Sequence, residues 1–178
     1  DWEAHSNLAA AFLDQNKLEE AVDSCRRALA LKPDDGRSHG NLGAALAGQG
    51  KFEEAIECYR RALVLDPNDG QVHRNLGVAF DDQGEIDEAI ACYRRALELD
   101  PSQTRVEYRL GTILHDKGQI DDAIVSFRRV VALDPADWQA HSSLGVSLQN
   151  QGKLKESIAS YRSAIELNPN HALAHSNL

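Results

Sequence analysis

KFEEAIECYRRALVLDP, residues 51–67, decides how the rest of this chain folds. Related segments begin at Lys17 (KLEEAVDSCRRALALKP), Glu85 (EIDEAIACYRRALELDP), Gln119 (QIDDAIVSFRRVVALDP) and Lys153 (KLKESIASYRSAIELNP). Successive starts lie 34 residues apart. A fixed period of this length marks stacked supersecondary units, each unable to bury its apolar face alone.

The quoted stretch predicts a helix. From Phe52 onward, Phe52, Ala55, Ile56, Tyr59, Ala62 and Leu63 fall on one face at three- and four-residue spacing. Glu53 and Glu54 sit in the first turn and Arg60 and Arg61 later, signs that agree with the helix dipole. Pro67 ends the run, and Pro33, Pro101, Pro135 and Pro169 end the other copies. Working outward, residues 37–49 carry a second apolar stripe, Leu42, Ala45 and Leu46. Gly50 follows it, with Gly84, Gly118 and Gly152 at the same place and Asn16 in the first copy. These are residues that tolerate the left-handed backbone closing a helix. No stretch of useful length alternates with period two, so no strand is expected.

Small residues share the period: Gly43, Gly77, Gly111 and Gly145 in the first helices, Ala21, Ala55, Ala89 and Ala123 in the second. Glycine inside a helix costs about 1 kcal/mol relative to alanine. Its repeated use implies helices packed near the short end of the usual separations.

Bulk properties narrow the function. A net charge of −9 argues against a nucleic-acid groove, which needs clustered Lys and Arg. No apolar run reaches the length of a membrane span. Cys25, Cys58 and Cys92 form no CxxC pair, and no N-x-S/T sequon occurs, which suits a reducing, cytoplasmic setting. Both ends cut into the period, so the chain reads as a piece of something longer.

Leu-Gly, a large apolar residue three later, then Ala, aromatic, Ala and Pro: this order resembles the tetratricopeptide-repeat family. The resemblance covers units 2–35, 36–69, 70–103, 104–137 and 138–171, with a partial sixth at 172–178. It implies one array over 1–178, an all-α, right-handed superhelical solenoid of helix-turn-helix repeats. Where the family often has Trp, this chain has His5, His39, His73, His141 and His175, with Glu107 in the fourth unit. Equivalent positions in stacked repeats lie too far apart to share a metal, so the histidines are read as packing residues with one ring nitrogen bonded. His171 and His175 have zinc-pair spacing but no third ligand nearby. The cysteines are read as small buried or half-buried thiols. No catalytic constellation, metal site or cofactor site is assigned, and GNLGAALAGQG from Gly40 lacks the preceding strand of a phosphate loop.

Asn7, Asn41, Asn75 and Asn177 recur directly before the repeat leucine, with Arg109 and Ser143 filling the gaps. The position is one step off the apolar stripe, where packing does not demand an amide. The resemblance places it on the concave groove, and an amide both donates to and accepts from an extended peptide backbone. Inter-helix bonding is the alternative. The ladder and the AHSNLA phrasing at residues 4–9 are similar to the repeat arm of O-linked N-acetylglucosamine transferases.

The fourth unit departs most, with Arg105, Glu107, Tyr108 and Arg109. Chaperone-binding tetratricopeptide domains hold a terminal carboxylate in a polar clamp. Asn75, Arg105 and Arg109 match part of it, while Gly40 and Ala44 stand where a lysine and an asparagine belong. An anion pocket of Asn75, Arg105 and Arg109 with Arg74 is what the resemblance leaves, with Asp81, Asp82 and Asp116 as an acidic edge. Solvated arginines balancing an acidic protein are the alternative.

The expected function is a non-catalytic scaffold for protein or peptide segments, including ones with an acidic or terminal carboxylate group, with no nucleic-acid or membrane partner. Asn7, Asn41, Arg74, Asn75, Arg105, Tyr108, Arg109 and Asn177 are the candidate peptide contacts. Two other readings stand beside it: the substrate-recognition arm of a larger enzyme such as a glycosyltransferase, and a module that self-associates through its array ends.

Overall fold

Helix starts and stops recur with the sequence period because the same capping chemistry recurs. A computed structural model describes residues 1–169, and these form helices and turns without a strand. First helices are α1 (Trp2–Asp14), α3 (Gly36–Gly48), α5 (Gly70–Gln83), α7 (Thr104–Asp116) and α9 (Trp138–Asn150). Second helices are α2 (Leu18–Leu31), α4 (Phe52–Leu65), α6 (Ile86–Leu99), α8 (Ile120–Leu133) and α10 (Leu154–Leu167). The chain is thus an all-α solenoid of helix-turn-helix repeats. The expected limits of α3 and α4 fall within a residue of those observed.

Asp1, Asp35, Asp69 and Asp137 each accept a bond from a backbone N–H inside the first turn of the first helix that follows. Such a cap satisfies one of the donors a helix start leaves orphaned. At the other end, Asn16 (φ 55°) and Gly50 (φ 76°) take the left-handed conformation that turns the chain into the second helix. After the second helices, the Asp66, Asp100 and Asp134 carboxylates accept from the amides two residues on, an Asx turn that seats the proline between them.

Packing divides the chain into two compact units, Asp1–Leu99 and a second from Asp100 onward. In the first, α1 to α5 each pack on the following helix, the last of these being α6; α1 also meets α3, and α3 meets α5. In the second, α7 to α10 pack in the same succession, with α7 against α9. The core of the second to fifth repeats is an aromatic ring lying over a glycine, while buried Ala9 and Cys25 hold the same two places in the first. A Cβ on Gly43 would stand 2.6 Å from Tyr59 Cε1, on Gly77 2.8 Å from Tyr93 Cδ1, on Gly111 2.9 Å from Phe127 Cε1, and on Gly145 2.7 Å from Tyr161 Cδ1. The glycines therefore let a ring occupy the helix surface itself. Where Ala21, Ala55, Ala89 and Ala123 sit fully buried, the fifth copy has Ser157, whose hydroxyl donates to the Gly145 carbonyl at 2.8 Å.

Polar contacts tie repeat to repeat. Ser38 Oγ donates to Ser6 Oγ (3.0 Å) and Ser6 Oγ to Asp35 Oδ2 (3.4 Å), a buried cluster in which the α3 cap also grips α1. Outside, Arg61 reaches Asp34 and Arg128 reaches Glu156, both at 2.6 Å. Exposed pairs of this kind contribute little each, about 0–1 kcal/mol.

Candidate functional site: the first-helix faces

In α5, α7 and α9 the repeat leucine and glycine are buried together, so the residue before the leucine projects beside the packed stripe. Leu76 and Gly77 are buried, whereas Arg74 and Asn75 on the same helix are half-buried. On α7, Leu110 and Gly111 are buried while Arg105 and Arg109 are exposed.

The predicted contacts are placed as follows. Asn7, on α1, is exposed. Asn41, on α3, is half-buried and its Nδ2 donates to the Ser6 carbonyl of α1 at 3.5 Å, the long end of such a bond. That contact matches the inter-helix alternative for this amide. On α5, Arg74 Nε donates to Asn75 Oδ1 at 3.4 Å, so these two neighbours meet. Tyr108, on α7, is half-buried, its ring edge-on to Phe127 with centroids 5.6 Å apart. Its hydroxyl lies 3.1 Å from Ser143 Oγ on α9. Asn177 lies outside the described residues, as do His171 and His175. Arg74 and Asn75 belong to the first unit, and Arg105, Tyr108 and Arg109 to the second.

Other residues on these faces carry contacts that sequence spacing alone did not mark. Asn150 Nδ2 donates to His115 Nε2 at 2.9 Å, and His115 Nδ1 then donates to Asp116 Oδ1 at 3.4 Å. Asp81, expected on an acidic edge, accepts from Tyr93 O–H at 3.3 Å. The shared signal was a 35-residue separation in the Tyr108–Ser143 and His115–Asn150 pairs, one period plus one.

The histidine row is structural where it is described in full. His39, His73 and His141 each donate from Nε2 to the carbonyl of the proline six residues earlier, at 2.8, 3.0 and 3.2 Å. Glu107 occupies the same row in α7 and is 2% exposed. Among the described residues no three histidine, cysteine or carboxylate side chains gather as a metal site needs. Nor is any described helix long and apolar enough to cross a membrane.

Burial sets the thiol chemistry. Burial, with smaller contributions from the neighbouring Cys58 and Asp35, pushes the Cys25 thiol up to about 12. Burial raises Cys92 to about 11 against the opposing pull of Arg60, and raises Cys58 as well, helped by Glu54 and Glu57. These raised values favour the neutral thiol in the fold. The associated stability is present below the ordinary thiol value of 9.0 and is lost as pH rises from there toward 11–12. At pH 8 a thiol-specific reagent should label Cys25 at least tenfold more slowly in the native protein than in denaturant, since the thiolate is the reacting form. Equal rates would refute this.

Three family models match the chain: tetratricopeptide-repeat models over residues 41–104 and over 2–35 and 138–171, and a TPR-repeat model over 111–152. The chain belongs to the tetratricopeptide-repeat family. No curated protein sequence matches it significantly. Among solved structures it is similar to YrrB, described as a TPR protein with an unusual peptide-binding site (TM-score 0.86, 24% identity, 99% of this chain and 91% of that one). It is also similar to MamA of AMB-1 (TM-score 0.85, 22% identity, 98% and 96%). A third is MamA of Desulfovibrio magneticus RS-1 (TM-score 0.82, 20% identity, 96% and 97%). At these identities the likeness speaks for the tetratricopeptide fold alone.

Proposed function

We propose that this tetratricopeptide-repeat chain is a non-catalytic interaction scaffold that binds extended peptide segments along its first-helix faces. One observation carries the reading: at or near the position before the repeat leucine, α1, α3, α5 and α7 present amides and arginines beside the packed stripe, none of them fully buried. In the first unit these are Asn7, Asn41, Arg74 and Asn75. In the second they are Arg105 and Arg109, flanking the half-buried Tyr108. In the first unit, preformed helices with capped starts hold these groups in place, so little ordering cost falls on that part of the scaffold. Two guanidinium groups one helical turn apart suit a carboxylate, which arginine grips with paired donors. YrrB, of the same fold, has a peptide-binding site in its description, and that supports the class of ligand proposed here.

The test is a peptide-array screen of the wild type, of Arg105→Ala/Arg109→Ala and of Asn41→Ala/Asn75→Ala, each checked for an intact fold by circular dichroism. The arginine pair should lose acidic and free-carboxyl peptides selectively, by about 10-fold or more for a charge-assisted contact. The asparagine pair should weaken all ligands alike. Binding that is the same for all three proteins would eliminate the proposal.

A further inference from the structure

The start of α7 lacks both clamps that hold the starts of α3, α5 and α9. In those three helices an aspartate caps the first turn, and a histidine in that turn donates to the carbonyl of a proline six residues back. In α7 the cap position is Gln103, which makes no side-chain bond to the helix. Its amide is drawn instead to the Asp100 carboxylate. The histidine is replaced by Glu107, and an ionised carboxylate has no proton to donate to a carbonyl. Glu107 is 2% exposed, its Oε1 accepts no hydrogen bond, and Arg129 Nη1 stands 3.6 Å away, beyond good bonding distance. A buried carboxylate oxygen that takes no hydrogen bond and is held only by a long ion pair to Arg129 is a standing cost, relieved whenever the turn opens to water.

We propose that the first turn of α7, residues 104–108, is a built-in opening segment, and that Glu107 is its positioning residue. It opens to solvent more often than the matching turns of α3, α5 and α9. It also carries Arg105 and Tyr108, with Arg109 directly after. Resting on the peptide-scaffold reading above, the inference adds a mode of regulation: an acidic ligand bridging Arg105 and Arg109 closes the turn. Binding segments are drawn from the least stable parts of a fold for this reason. Ligand affinity then includes the cost of ordering, which a pre-closed turn avoids.

Hydrogen exchange read by mass spectrometry on the intact chain tests this directly. In the free protein, amides of 104–108 should exchange about 10-fold or more faster than those of 138–142 at the α9 start. Gln103→Asp restores the cap and Glu107→His restores the ring donor; each should slow the α7 turn by roughly tenfold and leave α9 unchanged, a factor of ten corresponding to about 1.4 kcal/mol. Glu107→Leu removes the buried charge without supplying a donor and should slow exchange less than Glu107→His. Equal rates at the two helix starts, or no response to either restoring change, would overturn the inference. A peptide ending in Asp with a free carboxylate should slow exchange at 104–108 when bound and bind Glu107→His several-fold more tightly. Binding without that protection also overturns it. If the peptide fails to bind, the scaffold reading falls, while the free-protein comparison still decides whether the turn opens.

Discussion

Truncating Tyr59 to alanine will cost the protein about 3–5 kcal/mol, the range for emptying a large aromatic site in a packed core. Tyr59 is 1% exposed and lies over Gly43, so its removal leaves a cavity bounded by two helices of one repeat. Glycine at position 43 has no side chain to fall into the space, and collapse would require the helices to move. In a repeat array, stability is close to a sum of repeat and neighbour terms. The loss should therefore show first as early melting of the second repeat, with α3 and α4 losing protection before α8 and α10. Thermal and denaturant melts, joined to hydrogen exchange, measure both the size and the place of the effect. A loss under 1 kcal/mol, or one spread evenly over the chain, would contradict the packing described.

Gly43→Ala gives the second large effect, and its sign departs from ordinary helix propensity. On a solvated helix the change would stabilise by about 1 kcal/mol. Here the new Cβ would stand 2.6 and 2.7 Å from Tyr59 ring atoms and 3.1 Å from the Ala55 carbonyl oxygen. The ring is boxed in, and the carbonyl is backbone, so neither yields easily. Overpacking of this kind costs about 1–3 kcal/mol. The decisive measurement is a double-mutant cycle. In the Tyr59→Ala background the clash with the ring is gone, and Gly43→Ala should turn neutral or stabilising. The coupling between the two positions should then be about 1–3 kcal/mol, the size found for residues in direct contact. Additive effects would mean that ring and glycine do not touch.

How much of this was legible in the sequence follows from where each contact lies. A helix is read from spacing along one segment, so α3, α4 and their glycine and proline stops could be placed within a residue. The close approach at Gly43, Gly77, Gly111 and Gly145 was also readable, because nothing else repays a mid-helix glycine at four of the five copies. The identity of its partner ring was not, since that depends on how two helices cross. The same limit hid the Asn41 contact with the Ser6 carbonyl and the Tyr108–Ser143 pair, each spanning 35 residues. Sequence marked the histidine row as bonded through one nitrogen, yet the proline carbonyl that receives the bond lies in a turn whose path spacing does not give. Glu107 stood out as a departure from its row. Its depth did not, because a glutamate in an acidic helix looks like surface until its neighbours are in place.

The aspartate caps and the histidine–proline bonds have a consequence for how such a chain grows. At α3, α5 and α9 each of these contacts joins residues at a fixed offset, three for the cap and six for the ring. Suppose residues 36–69 were copied in tandem within the gene. The duplicate would bring its own cap, its own ring donor and its own proline, and the flanking segments would meet surfaces they already fit. Unequal crossing-over in phase therefore lengthens the protein without inventing a single new interaction, whereas a slip of one codon would unseat all of them together.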